Sequence, residues 1–243
     1  MFFDLVKREP IFVASISAAI GAGKSTLMRR LEQTKMFEQY FDPSEYDICY
    51  VQEPVDLWEK KGWLQAYYAD QNKNALPFQL CVMDSHVKAV ATALAPYRTP
   101  VGSTKKTICL VERCAWDQLL FWKMQVDSGY ASADSFGDET YMGNWENLRS
   151  FIPDVKLIFF AKTSDFEITQ TRLRAREPDK EELYKYNQRL YQKHLDWYVL
   201  KTSSPVTIPV VELNLDTNFH TDDEQLGEIV EKMAKEIKNK INF

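Results

Sequence analysis

A glycine-rich segment near the start of the chain has the residue types and spacing of a phosphate-binding loop. It reads AAIGAGKST over residues 18–26, and it lies between an apolar, β-branched run at 11–17 and a helical pattern at 24–35. This order of strand, tight loop and helix lets successive backbone amides and the helix N-terminus surround phosphate oxygens. The residues that we predict to bind phosphate are Gly21, Ala22, Gly23, Lys24, Ser25 and Thr26.

Two side chains of this loop have distinct expected roles. Lys24 is expected to reach the β and γ phosphates, and the Ser25 hydroxyl is expected to hold Mg²⁺. The loop departs from the usual pattern at its first position, where Ala18 replaces glycine. The backbone at Ala18 must therefore adopt a conformation that alanine tolerates, or the loop is altered. The alternative interpretation is a turn of small residues between a strand and a helix.

Charged side chains also follow two further predicted strands. The second strand ends in Glu53, which precedes Trp58, and the third ends in Glu112 and Arg113. A charged residue at a strand end is usually only solvated. Phosphoryl transfer, however, needs a carboxylate near the attacking hydroxyl, a metal between the phosphates and cations for the transferring oxygens. We therefore predict that Glu53 orients a hydroxyl and accepts its proton, and that Arg113 steadies this carboxylate.

Short apolar runs alternate with longer helical patterns, which predicts an α/β fold with a five-stranded parallel sheet in a single domain, residues 1–243. Ligands of such sheets bind beyond the carboxyl ends of the strands. The predicted strands are 11–17, 48–53, 107–113, 155–162 and 206–214. The predicted helices are 24–35, 56–68, 77–94, 115–128, 140–151, 164–174, 181–200 and 222–240, with a loop expected within 127–138.

The composition narrows the class of protein. Hydrophobic residues make up 45% and charged residues 27% of the 243, as in ordinary globular proteins. A net charge of −5 argues against a general duplex-DNA binder, and no apolar run reaches the roughly 18 residues of a membrane span. We therefore expect a cytoplasmic protein without a nucleic-acid or membrane partner. Four cysteines form no metal-binding pair and are expected to be reduced core residues: Cys49, Cys81, Cys109 and Cys114.

Together with PFQ at 77–79 and RLRAREPD at 172–179, the phosphate loop and the two strand ends form an ordered set that resembles the deoxyribonucleoside kinase family. The resemblance extends from about residue 11 to residue 197. It implies a P-loop kinase fold with a short arginine-rich lid, ATP and Mg²⁺ as cofactors, a deoxynucleoside as substrate and a homodimer. The implied reaction transfers the γ-phosphate of ATP to the 5′-hydroxyl, a step of nucleotide salvage.

The resemblance also implies roles for the charged residues. Glu53 matches the family's general base, and Glu112 matches a carboxylate that assists with Mg²⁺. Arg113 matches the arginine of a Glu-Arg-Ser motif, in which Cys114 here replaces serine. The arginines that match the lid are Arg172, Arg174 and Arg176. Their spacing alone is equally typical of a solvated helix end.

A second group of residues matches the nucleoside pocket. Gln79 matches the amide that reads the base edge, while His86 and Gln118 match positions that help to select the base. By contrast, His194 and His220 are expected to be ordinary surface or interface residues. The residues matched to the pocket wall are Trp58, Tyr68, Phe78 and Trp122, although such rings are more often part of a core when taken alone.

One match and two competing functions stay open. Asp179 matches the carboxylate that contacts the sugar 3′-hydroxyl, but Glu181 or Glu182 could make this contact if the loop shifts. A P-loop kinase acting on a nucleoside monophosphate would need additional arginines for the acceptor phosphate. A non-catalytic, kinase-like subunit of an assembly is the other alternative, motivated by the departures at Ala18, Cys114 and Asp179.

Overall fold

The five predicted strands form one parallel sheet. The computed structural model describes residues 11–97, 105–131, 135–177, 181–202 and 204–241. The strands are β1 (Ile11–Ser17), β2 (Tyr46–Val51), β3 (Lys106–Glu112), β4 (Val155–Lys162) and β5 (Val210–Asn214). They lie in the order β2-β3-β1-β4-β5, and every neighbouring pair is parallel. The predicted α/β class and the five-stranded parallel sheet are therefore confirmed.

Helices connect the strands throughout the described part of the chain. The α-helices are α1 (Lys24–Thr34), α2 (Val55–Lys60), α3 (Trp63–Ala69), α4 (Gln71–Leu94), α5 (Ala115–Asp127), α6 (Ser135–Arg149), α7 (Phe166–Arg176), α8 (Glu181–His194) and α9 (Asp223–Lys238). Short 3₁₀ turns cover Phe37–Tyr40 and Ala95–Tyr97, and a π-helical turn, Leu195–Val199, continues α8. No helix within the described ranges is both long and apolar enough to cross a lipid bilayer.

Several predicted boundaries were wrong for local reasons. The single helix expected at 56–68 is two helices, because Gly62 adopts a left-handed φ of 70° between α2 and α3. Helix α4 begins at Gln71, six residues before the predicted start at Pro77, and it contains that proline near its first turns. Strand β5 starts only after Pro209, and α6 begins at Ser135, inside the segment that was expected to be a loop.

Alternate residues of the central strand face two different layers. Phe12, Ala14 and Ile16 pack with α1 and α9 in one core, whereas Val13 packs with α4 on the opposite side. This period of two places Ser15 and Ser17 on the α4 side as well, where both are fully buried. The sheet thus has an apolar layer on each face, and two buried serines of β1 lie next to the carboxyl end of the strand.

The cysteines behave largely as expected. All four are free thiols, and Cys49, Cys109 and Cys114 are buried. Cys81 is half-buried. None of them belongs to a possible metal cluster among the residues that the structure describes.

Candidate active site

A cavity of about 1280 Å³ opens beyond the carboxyl ends of β1, β2 and β3. Side chains from the loop after each of these strands reach it, including Lys24, Glu53 and Arg113. Helices α2 to α5 supply a wall rich in aromatic side chains, and residues of α7 and α8 together with Glu177 supply much of the remaining side. The position agrees with the rule that parallel sheets bind ligands at this edge.

The phosphate loop has the backbone that its two glycines allow. Gly21 and Gly23 have φ of 87° and 101°, values that side chains rarely permit. Ala18 is fully buried, and it is not among the described residues with positive φ, so alanine is tolerated there without strain. Its carbonyl oxygen accepts a hydrogen bond from Arg113 Nη1 at 3.0 Å. The replacement of the first glycine therefore leaves the loop compatible with phosphate binding.

Lys24 lies between two carboxylates at the floor of the cavity. Its Nζ atom is 3.4 Å from Glu112 Oε1 and 3.9 Å from Glu53 Oε2. Burial, followed by the charge of Arg113, lowers the pKa of Lys24, and the charges of Glu112 and Glu53 oppose this shift. A buried ammonium group among these charges is suited to bind phosphate oxygens that enter the cavity.

Ser25 lines the cavity beside the phosphate loop, and the buried Glu112 carboxylate lies directly behind it. Ser25 Oγ donates to Glu112 Oε1 at 2.5 Å. Burial alone raises the pKa of Glu112, but Lys24, the Ser25 hydrogen bond and Arg113 lower it further than burial raises it. Mg²⁺ usually keeps several waters and takes only one or two protein oxygens when phosphates complete its shell. One hydroxyl and one ionised carboxylate beside the phosphate loop fit this requirement.

Glu53 and Arg113 are brought together from two different strands. Arg113 Nε donates to Glu53 Oε2 at 3.1 Å, although the residues are 60 positions apart. Arg113 is buried and has a left-handed φ of 63°, which is uncommon for a residue with a side chain. The Glu53 side chain keeps 12% exposure at the cavity. Its carboxylate is thus oriented by a cation and still accessible to a ligand.

Part of the predicted pocket wall lines this cavity, and its contact with a nucleoside stays a prediction. Trp58, Tyr68, Phe78 and Gln79 all line the cavity. The rings of Trp58 and Phe78 meet edge to face with centroids 6.0 Å apart. The side-chain oxygen of Gln79 is buried and has no hydrogen-bond partner. A buried carbonyl oxygen without a partner costs free energy, so a ligand donor at this point would be favoured.

Several aromatic and polar residues that line the cavity were missed. Tyr67 stacks on Phe78 with centroids 4.7 Å apart, and its hydroxyl donates to Gln125 Oε1 at 2.8 Å. Gln125 Nε2 donates to the Tyr186 hydroxyl at 3.2 Å. Burial raises the pKa of Tyr67 to about 12, so its hydroxyl stays a hydrogen-bond donor. Phe121 also lines the cavity. The spacing of Phe121 and Gln125 by four residues was the available signal for a shared helix face.

Three predicted pocket residues lie elsewhere: His86, Gln118 and Trp122 do not line this cavity. On α5, Trp122 stacks on Tyr141 of α6 with centroids 4.4 Å apart, and the Tyr141 hydroxyl donates to the Gln118 carbonyl. Gln118 and Trp122 are one helical turn apart, so both lie on the face of α5 that packs against α6. Phe121 and Gln125 lie on the face of α5 that lines the cavity. Gln118 and Trp122 therefore lie outside the cavity that Gln79 lines, and their contact with the base stays a prediction.

His86 lies too far along α4 to line the cavity. Its Nε2 atom is 3.2 Å from the backbone oxygen of Glu112, between α4 and β3. Seven residues return a helix to the same face, but they also advance it by about 10 Å along the axis. His86 is therefore on the same side of α4 as Gln79 but lies beyond the cavity that Gln79 lines.

The predicted phosphate arginines separate into two groups. Arg172 and Arg176 line the cavity, and Arg172 Nη1 also donates to the Leu215 carbonyl at 2.9 Å. Arg174 instead pairs with Glu167 at 3.3 Å and lies over the Tyr184 ring, because alternate residues of a helix point to different sides. Ala22 does not line the cavity either. Asp179 lies outside the described residues, so its role stays a prediction.

The two remaining histidines differ. His220 is exposed and lines the cavity rim. His194 was expected at the surface but is fully buried, stacked on Phe160, with Nε2 3.4 Å from Asp117 Oδ1. A helical pattern does not reveal that the end of α8 enters the core. Asp117 was also missed, since a lone acidic residue in the first turn of a helix usually signals only a cap.

The sequence of this chain is similar to those of known kinases. A "Probable deoxycytidine kinase" of fowlpox virus (strain NVSL) is 28% identical over 220 residues, which are 89% of this chain and 84% of that protein. A "Putative kinase protein" of Invertebrate iridescent virus 3 is 30% identical over 139 residues, which are 57% of this chain and 58% of that protein. The model of the deoxynucleoside kinase family matches residues 14–238, from the first strand to the last helix, and the chain therefore belongs to this family.

Proposed function

We propose that this protein transfers the γ-phosphate of ATP to the 5′-hydroxyl of a deoxynucleoside. The observation that carries the proposal is the Glu53 carboxylate, held by Arg113 at 3.1 Å in the same cavity as Lys24 of the phosphate loop. Phosphoryl transfer to a hydroxyl requires a carboxylate near the phosphate loop. The aromatic side chains of the same cavity are suited to bind the base to which the sugar is attached.

The roles of the residues follow from their contacts. Lys24 and the loop amides bind the phosphates of ATP, while Arg113 keeps the Glu53 carboxylate pointed at the acceptor. A sugar hydroxyl is a very weak acid, so Glu53 orients it and accepts its proton late in the transfer. Ser25 and Glu112 are the residues that would hold Mg²⁺. When bound, the metal neutralises charge on the phosphates.

The chemistry of the pocket wall favours an uncharged acceptor. Helices α2 to α5 contribute apolar, aromatic, amide and acidic side chains to the cavity, and no described lysine or arginine of these helices lines it. A monophosphate acceptor would need cations here. The buried, unpartnered oxygen of Gln79 offers an acceptor to a base amino or imino group. These features support a nucleoside over a nucleotide as substrate.

Helix α7 and the start of α8 supply the remaining contacts in this proposal. Arg172 and Arg176 act on the transferring phosphoryl group as parts of an arginine-rich lid. Glu181 and Glu182 line the cavity, as Glu177 does. Either of the first two is proposed to contact the 3′-hydroxyl as an alternative to Asp179. We further propose that the enzyme acts as a cytoplasmic homodimer in nucleotide salvage, which rests on the family resemblance.

The test is ADP release with Mg²⁺-ATP over a panel of the four common deoxynucleosides, the matching ribonucleosides and the deoxynucleoside monophosphates. Glu53→Gln should retain the fold and lower kcat by about 10²- to 10⁴-fold, the usual contribution of a positioned base. Glu231→Gln, an exposed change on α9, is the matched control and should leave kcat unchanged.

Turnover on deoxynucleosides that is lost in Glu53→Gln would support the proposal and name the preferred base. Turnover confined to monophosphates would instead identify a nucleotide kinase. Silence over the whole panel from folded protein would indicate a non-catalytic subunit, and equal turnover by Glu53→Gln would remove this carboxylate from the mechanism.

A further inference from the structure

A buried polar cluster lies behind the candidate active site. Its centre is Asp117, which is fully buried in the first turn of α5. Asp117 Oδ2 accepts from Ser17 Oγ at 2.6 Å and from the Cys114 amide at 2.8 Å. Asp117 Oδ1 faces Arg113 Nη1 at 3.9 Å and His194 Nε2 at 3.4 Å. The cluster thus joins the ends of β1 and β3 to α5 and α8.

Helix capping alone does not explain a charged residue at this position. The cap needs one acceptor for the Cys114 amide, which an uncharged side chain can also supply. A fully buried carboxylate carries a large desolvation cost unless cations and donors compensate it. Here burial acts to raise the pKa of Asp117, but the adjacent His194 ring, the charge of Arg113 and the hydrogen bond from Ser17 outweigh it and hold the pKa at about 2. The chain therefore keeps this carboxylate ionised beside Arg113.

Arg113 in turn is held on each side of its guanidinium. Nη1 donates to the Ala18 carbonyl at 3.0 Å and faces Asp117, while Nε donates to Glu53. The guanidinium also lies over the Phe121 ring, 4.6 Å from its centroid. Its backbone is left-handed, with φ of 63°, so these contacts must offset local strain. Asp117 is the carboxylate on the side of Arg113 that faces away from the cavity.

We propose that Asp117 is a positioning residue, which fixes the Arg113 guanidinium from behind and so sets the orientation of Glu53 at the cavity. With the Asp117 charge present, Arg113 has two carboxylate partners and a backbone acceptor that hold it in one place. With that charge removed, the guanidinium is free to turn toward Glu53 and Glu112, and the Glu53 carboxylate follows it away from the acceptor hydroxyl. The inference rests on the kinase function proposed above.

The kinetic test uses Asp117→Asn, which keeps the size of the side chain and an acceptor for the Cys114 amide. We expect kcat to fall about 10- to 100-fold, the cost of misplacing a reacting group by about 1 Å. The KM for ATP should change by less than about threefold, because the loop amides and Lys24 are untouched. Asp165→Asn, the same change at the N-cap of α7, is the control and should leave both constants unchanged.

A double variant separates positioning from a general structural role. If Asp117 acts through Arg113, Asp117→Asn should lower kcat little further in an Arg113→Lys background, because the partner is already lost. If Asp117 only stabilises the fold, the two losses should multiply. Should Asp117→Asn not fold, Asp117→Ser replaces it in the same series, since serine is smaller and also removes the charge.

A readout without turnover keeps the two proposals distinct. The Arg113 Nε–H signal in a ¹H–¹⁵N spectrum, assigned from its absence in Arg113→Lys, should exchange slowly with solvent in the parent and at least about tenfold faster in Asp117→Asn. Unchanged exchange and unchanged kcat would overturn the role of Asp117. If the parent phosphorylates no nucleoside, the proposed function fails, and the exchange rates still decide whether Asp117 holds Arg113.

Discussion

At the scale of single residues, the space around the glycines of the phosphate loop limits which residues can replace them. A Cβ atom at Gly21 would lie 2.9 Å from the Thr169 carbonyl oxygen and 3.1 Å from Leu173 Cβ. The first of these contacts is with the backbone of α7, which cannot move aside as a flexible side chain does. The loop and α7 are therefore in direct contact, and α7 also carries Arg172 and Arg176 to the cavity.

This contact predicts the effect of Gly21→Ala. The new methyl group meets the α7 backbone, and φ of 87° is unfavourable for alanine. We expect the free energy of unfolding to fall by about 1–3 kcal/mol and ATP binding to weaken. Urea denaturation and the KM for ATP measure the two effects.

Gly62→Ala is the matched control. Gly62 also has a left-handed φ, 70°, but nothing lies within 4 Å of a Cβ atom there. Its cost should be the conformational cost alone, about 1 kcal/mol, without a change in the KM for ATP. Equal losses for both variants would show that the approach of α7 to the loop does not limit residue 21.

At the scale of elements, the faces of helices decide which side chains reach the site. Helix α9 illustrates a purely structural element, since its buried residues pack in the core with α1 and the face of the sheet that carries Phe12. Asp222 caps its first turn by accepting from the amides of Glu224 and Gln225. The fully buried side chains of this helix are Leu226, Val230, Met233, Ala234 and Ile237.

Shortening a side chain in this core should lower the stability of the fold without lowering kcat. Ile237→Ala should lower the free energy of unfolding by about 2–5 kcal/mol, because it removes buried methylene groups and leaves a cavity. The kcat should stay within about twofold, since Ile237 does not line the active-site cavity. Glu231→Ala, exposed on the same helix, should change the unfolding free energy by no more than about 0.5 kcal/mol. A drop in kcat at full folding for Ile237→Ala would contradict this division.

At the scale of the whole molecule, the buried charges make the stability of the fold depend on pH. The pKa of Asp117 is about 2 in the folded chain, whereas the ordinary pKa of an aspartate side chain is 3.8. Because the folded value is the lower one, ionised Asp117 stabilises the fold above about pH 4. This contribution is lost as the pH falls through the folded pKa.

The expected outcome is a difference between two unfolding curves. The free energy of unfolding of the parent should fall relative to that of Asp117→Asn by roughly 2 kcal/mol between pH 5 and pH 2. Urea denaturation at several pH values measures this difference, and other carboxylates cancel because both proteins contain them. Parallel curves would show that the neighbours of Asp117 do not lower its pKa in the folded chain.

Local patterns were sufficient for much of the fold. The bounds of β1 and β4 agree with prediction, because continuous apolar, β-branched runs and the adjoining turn residues are local signals. The strand, loop and helix order around Lys24 was also predicted, because glycine, lysine and serine at this spacing are typical of a tight loop whose backbone needs positive φ. The break at Gly62 and the start of α4 at Gln71 were missed, since Gly and Pro signals there compete with helical periodicity.

The parallel α/β fold, the strand, loop and helix around Lys24 and the candidacy of Glu53 and Arg113 could be predicted from the chain alone, because each depends on neighbouring residues. That Glu53 and Arg113, 60 residues apart, lie 3.1 Å from each other became known only from the folded chain. The tertiary structure also decided that α5 turns Phe121 rather than Trp122 to the cavity. One residue rotates a helix by about 100°, so which face meets the ligand depends on what packs against the other.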